Sequence, residues 1–201
     1  QQLQAEKFKQ LQERRYWQFL VVALLLLVMG ILVIHQRGRT RKMQRLAMTD
    51  ELTGIHNRRQ IQAKGRKWFA LARASGKPLC VLLLDIDHFK KVNDRLGHQV
   101  GDRVLTAVAQ CIEEQVRSLD RVGRNGGEEF LVLCDGADLS ATVDMAERIR
   151  AAVASHGFRL ADGQTLHTTV SVGVYVGTSA HTTAMQLIEA ADQALYRAKQ
   201  A

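Results

Sequence analysis

The sequence predicts an α/β fold with a mixed central sheet surrounded by helices, and three observations predict it. Two apolar runs, Leu79-Cys80-Val81-Leu82-Leu83-Leu84 and Phe130-Leu131-Val132-Leu133-Cys134, have the length of buried strands rather than helices. Segments of helical periodicity separate the strands, as in Val100, Val104, Val108 and Ile112. Finally, Asn125-Gly126-Gly127 reads as a tight hairpin turn directly before the second apolar run.

The elements follow in order. A helix is expected over 57–74, and a strand over 79–85 is opened by Pro78, the only proline. A short helix at 88–96 and a longer one at 99–117 come next. A hairpin over roughly 120–134 precedes a helix at 138–156, a strand near 165–174 and a closing helix at 182–200. Strands alternate with helices while one hairpin interrupts, and that pattern gives the mixed sheet. Cys80, Cys111 and Cys134 lie on apolar faces without a CxxC or metal-ligand spacing, so three buried thiols are expected. Without a GxxxxGK[ST] sequence, P-loop chemistry is excluded.

With 201 residues, 46% of them hydrophobic, the chain can form one sizeable core and an appendage. The appendage is the N-terminal part. Residues 17–35 contain no charged side chain and are long enough to read as one transmembrane helix, with Tyr16 and Trp17 at the interface. Residues 1–16 read as the end of a helix reaching the membrane from an extracytoplasmic region, and 36–48 as a linker helix. Of the net charge of +8, almost all falls in residues 1–47, which hold nine Lys/Arg against two Glu. That basic excess flanks the apolar stretch, so nucleic acid is not the expected partner. The uninterrupted cluster Arg37, Arg39, Arg41, Lys42 and Arg45 places the C-terminal domain in the cytoplasm by the positive-inside rule. The expected location is a bacterial inner membrane, through a single or last transmembrane helix.

The chemistry concentrates at two strand ends. Glu128 and Glu129 follow the Gly126-Gly127 turn, at the mouth of a strand where a core has no use for two acids. Asp85 ends the earlier apolar strand, the end at which ligands bind in open α/β sheets. Carboxylates converging there suit a hard divalent cation that shares its remaining positions with phosphate oxygens.

Together these residues resemble the GGDEF family of diguanylate cyclases, over residues 47 to 199. The resemblance rests on Asp50-Glu51-Leu52-Thr53-Gly54-Ile55-His56-Asn57-Arg58-Arg59, on Asp85 through Asp102, and on Gly126-Gly127-Glu128-Glu129-Phe130. Thr169 through Val174 and Ala191 through Lys199 complete it. It implies a fold like the palm of nucleotide cyclases and polymerases, and a homodimer that joins two GTP into cyclic di-GMP and two pyrophosphates. Asp85, the Ile86 carbonyl and Glu128 are implied ligands of Mg²⁺ or Mn²⁺, two ions per site. Asp85 also fits a helix N-cap, and Asp87 fits that capping role better.

The resemblance further implies Glu128, Glu129 and Lys90 as catalytic groups, with the division between the two glutamates open. Phe89, at a helix start, and Gly126 and Gly127 would approach phosphates. Asn93 and Asp102 would read guanine, His98 would contact the nucleotide or merely begin a helix, and Lys199 would hold phosphate. Arg117 and Asp120 form an RxxD pattern at the offset of the family's product-inhibition site, with Arg148 as a further contact. Asn125 stands where many members carry an aromatic or aliphatic residue, and little effect is expected from it. The alternative reading is an inactive domain that senses cyclic di-GMP or GTP. Retention of Asp85, Asn93, Asp102, Glu128 and Glu129 favours the enzyme.

Overall fold

The structure is a computed structural model that describes residues 26–32, 48–160, 163–177 and 183–200. The chain divides into two compact units, residues 1–47 and 48–201. Of the first, only the helical stretch 26–32 is described. Among the described residues no helix is long and apolar enough to cross a membrane. The expected span 17–35 and linker 36–48 fall largely outside those residues.

The second unit begins with α1 (Arg58–Ser75), whose N-cap Asn57 accepts a hydrogen bond from the Gln60 amide. Gly76 ends the helix at φ 69°, a left-handed conformation that glycine adopts without a Cβ clash. The order continues through β1 (Leu79–Ile86), α2 (Phe89–Leu96), α3 (His98–Gln115), β2 (Arg121–Arg124) and β3 (Glu129–Asp135). It closes with α4 (Leu139–Ser155), β4 (Phe158–Arg159), β5 (Thr165–Leu166), β6 (Val170–Gly177) and α5 (Ala184–Ala198).

The main sheet has strand order β2-β3-β1-β6, and every neighbouring pair is antiparallel. The mixed sheet expected from sequence is therefore corrected. Helices α2 and α3 do carry the chain over to a strand parallel with β1, but that strand is β2, which is not its neighbour. The hairpin turns the chain back, and β3 slots antiparallel between them. The strand expected near 165–174 is also divided: β5 pairs with β4 in a small separate hairpin, and β6 alone joins the main sheet.

All eight residues of β1 are buried, as a central strand covered on both faces requires. Strand alternation splits the core in two. Cys80, Leu82, Leu84, Phe130, Val132 and Cys134 join the larger cluster with α3 and α4 residues such as Val108 and Ile149. Leu79, Val81, Leu83, Leu131 and Leu133 face Ile61 of α1 and Leu187, Ala191 and Leu195 of α5. Gly173 of β6 lets α5 lie directly on the strand, because a Cβ there would collide with Ala191 O and Leu195 N. All three cysteines are buried and free, as expected.

Candidate active site

The register of β1 on β3 sets Asp85 opposite Glu129, on the face that packs against α1 and α5. Glu128 immediately precedes β3, and its carbonyl accepts from the Ile86 amide at 3.4 Å. The three acids thus gather at one rim of the sheet. Asp85 is 8% exposed and reaches Lys199, at the C-cap of α5, with Nζ 2.7 Å from Oδ1. Asp85, Glu129, Asp192, Tyr196 and Lys199 line a cleft under the end of that helix.

Burial pushes the Glu128 carboxyl above its ordinary pKa; the neighbouring charges of Asp85 and Glu129 add to this, while Lys199 opposes it. Such a cluster is short of positive charge. Asp85, Glu128 and the Ile86 carbonyl offer only hard oxygens, the donor set that magnesium or manganese takes. The ammonium of Lys199 already supplies one positive charge to Asp85.

Around the acids, α2 and α3 meet at Gly97, which ends one and begins the other at φ 83°. His88 caps α2 from a left-handed backbone (φ 56°) and offers no side-chain bond to the first-turn amides. Phe89 itself is buried, while Lys90 is exposed. Asn93 lies over Gly101, where a Cβ would collide with its Oδ1. That oxygen is buried without a hydrogen-bond partner, an acceptor waiting for a donor. Asp102 and His98 are exposed at the start of α3.

Asp85 and Asp87 do not cap α2. Asp87 instead accepts hydroxyl bonds from Thr169 (2.5 Å) and Ser171 (2.7 Å), tying the end of β1 to the start of β6. Asn125 is held more firmly than a plain turn residue needs to be. It is 8% exposed and donates from Nδ2 to Glu129 Oε2 at 3.2 Å. Its loop position suits Asn, but its side chain is spent on a neighbour of the site.

Arg124, not among the residues expected at the site, braces it. Its guanidinium donates twice to the Gly127 carbonyl (3.0 and 2.7 Å) and pairs with Asp50 at 3.2 Å, bracing the glycine turn from two sides. The signal was an arginine two residues before the glycines and an aspartate opening the first motif.

The RxxD residues lie elsewhere, at the end of α3. Asp120 is buried and accepts from the Arg117 amide at 2.9 Å, so it closes its own turn and leaves the Arg117 side chain exposed. Arg121 lies 5.5 Å over the Trp68 ring. Arg117, Asp120 and Arg121 share a groove with Thr49, His56 and Glu113. Arg148 donates to the Gln115 carbonyl at 3.3 Å, joining α4 to the end of α3.

Fold and site together define an antiparallel α/β domain with acids collected at one rim of its sheet. The description "diguanylate cyclase, GGDEF domain" matches residues 47–201. The chain is 36% identical over 200 residues to the response regulator PleD of Caulobacter vibrioides, across 99% of this chain and 40% of PleD. It is 41% identical over 157 residues to the diguanylate cyclase DgcP of Pseudomonas aeruginosa, across 77% of this chain and 23% of DgcP. The chain spans less than half the length of these relatives.

Among solved structures, the GGDEF domain of DgcB from Caulobacter crescentus in complex with c-di-GMP superposes with a TM-score of 0.74 at 34% identity, covering 77% of this chain and 88% of that one. The active GGEEF domain of a diguanylate cyclase from Vibrio cholerae gives 0.67 at 33% identity, over 72% and 90% of the two chains. The chain belongs to the GGDEF domain family of diguanylate cyclases.

Proposed function

We propose that the chain is a diguanylate cyclase, condensing two GTP into cyclic di-GMP and two pyrophosphates as a homodimer. The observation that carries this reading is the register placing Asp85 opposite Glu129, with Glu128 beside them and its acidity lowered by burial and then by their charge. Asp85, the Ile86 carbonyl and Glu128 would hold the ions. Two Mg²⁺ or Mn²⁺ ions, when bound, would activate the attacking oxygen and neutralise the leaving pyrophosphate.

The chain's own groups supply the rest. The orphan acceptor of Asn93, with the carboxylate of Asp102, suits the N1–H and N2–H donors of guanine, which adenine does not present together. First-turn amides at Phe89 and Lys90, the Lys90 ammonium and the open turn at Gly126 and Gly127 would meet phosphate. Lys199 would release Asp85 and turn to the same phosphates. The 3′-oxygen of each GTP attacks the other's α-phosphate and expels pyrophosphate. Each domain holds one GTP, so two must face each other.

The groove at Arg117, Asp120 and Arg121, with Arg148 nearby, would bind the product and restrain turnover. Arginine forks suit phosphate and the Hoogsteen edge of guanine. Residues 17–35 would anchor the chain in a bacterial inner membrane, with residues 49–201 as the catalytic domain in the cytoplasm.

The test is incubation of the chain with GTP and Mg²⁺, with chromatography for cyclic di-GMP and Glu128→Ala alongside. Product from the parent alone supports the enzyme. No product from either, with tight cyclic di-GMP binding lost in Arg117→Ala, would make the domain a receptor.

A further inference from the structure

Asn125 sits in the β2–β3 loop yet is almost fully buried, and its backbone amide and both polar side-chain atoms are bonded. Its amide N–H donates to the Glu129 carbonyl at 2.8 Å. Its Nδ2 donates to Glu129 Oε2 at 3.2 Å, and its Oδ1 accepts from Gln62 Nε2 at 3.1 Å. The chemistry fixes the orientation of the amide, because a carboxylate can only accept. Gln62 belongs to α1 and follows Ile61, which is fully buried against Gly123 of β2. The chain of contacts therefore starts on a rigid helix. Gly126 leaves room for it: a Cβ there would already stand 3.2 Å from Glu129 Oε2. Among the described residues, by contrast, no hydrogen bond holds the Glu128 carboxylate.

We propose that Asn125, held by Gln62, is a positioning residue that pins one oxygen of Glu129 to the hairpin and leaves the other for the cleft shared with Asp85. Glu129 is then the fixed acid of the pair and Glu128 the mobile one, free to follow the metal and the 3′-oxygen. This rests on the cyclase reading and assigns the two glutamates different duties within it. Replacing Asn125 by an aliphatic residue keeps the loop but frees the Glu129 carboxylate to rotate.

The experiment is a double-mutant cycle on the full chain, titrating an α,β-methylene analogue of GTP with and without Mn²⁺. Asn125→Leu is expected to weaken the Mn²⁺-dependent binding roughly five- to tenfold, and to leave metal-free binding within about twofold. In a Glu129→Ala background the same substitution is expected to cost under about twofold. Gln62→Ala, on the helix, should shift the Mn²⁺-dependent affinity in the same direction by a smaller factor, and it guards against a hairpin that misfolds with leucine. A merely structural role would instead weaken metal-free and metal-dependent binding together. Equal losses with and without Glu129, or no loss from either substitution, overturn the proposal while the cyclase reading stands. A parent chain that binds no analogue with Mn²⁺ defeats the cyclase reading, and the proposal falls with it.

Discussion

Lys199 Nζ stands 2.7 Å from Asp85 Oδ1, so the end of the last helix is joined to the end of the first strand. The ammonium occupies the carboxylate that the proposed function gives to a metal ion. Lys199→Ala is therefore expected to tighten Mn²⁺ binding by the nucleotide-free chain, roughly two- to fivefold for a pair whose lysine is exposed. The same substitution should raise the KM for GTP, because the proposed phosphate contact would be lost. Mn²⁺ titration followed by electron paramagnetic resonance checks the first effect; weaker binding would show that Lys199 does not compete.

The base-reading role proposed for Asn93 would depend on the glycine beneath it, Gly101. Gly101→Ala places a methyl group against Asn93 Oδ1 and the tip of Phe89. The asparagine can swing away, so the fold should persist with less than about 2 kcal/mol lost. GTP affinity should fall by about tenfold, and discrimination against ATP should shrink with it. Unchanged selectivity in a competition assay would separate Asn93 from guanine reading.

Asp50 links the hairpin brace to pH. Burial raises its pKa, but the hydroxyl and amide of Thr53 and the charge of Arg124 outweigh that and hold it below 3.8. A carboxyl depressed in the folded state contributes stability above its unfolded pKa, and the contribution is lost as pH falls through the folded value. Asp50→Asn should thus be less stable than the parent at pH 7, and the gap should close as pH drops below about 4. Urea unfolding at pH 7 and pH 3 measures this. A gap of constant size would assign the loss to packing and not to charge.

Gly173 carries α5. An alanine there meets the backbone of Ala191 and Leu195, which has no rotamer to retreat into. Gly173→Ala is expected to cost about 3 kcal/mol. It should also push Lys199 away from Asp85, lowering activity more than the unfolded fraction explains. A melting temperature within about 2 °C of the parent would contradict the close approach.

Local patterns were legible in the sequence and distant partners were not. The helices of residues 48–201 fall within a residue or two of their expected bounds, because the 3.6-residue periodicity and the side-chain caps found at Asn57, Asp138 and Thr183 act over a few positions. Asp85 and the glutamates were found because acids at the ends of apolar strands are costly without a ligand. Strand direction was misread, since alternation of elements does not say which strands become neighbours. Asp87 seemed a cap because its partners, Thr169 and Ser171, lie more than eighty positions away. The contact of Asn125 with Gln62 was not legible either, because the helix that supplies it lies 63 positions earlier.

The pairing of β1 with β3 runs through seven consecutive partners, from Leu79–Asp135 to Asp85–Glu129. A slip of one residue would set Asp85 beside Glu128 or Phe130, and would also turn every leucine of one strand toward the wrong half of the core. Two greasy layers thus act as the vernier that aligns the acids. Chains caught out of register during folding would be unstable as well as inert, and a protease would meet them before a substrate did.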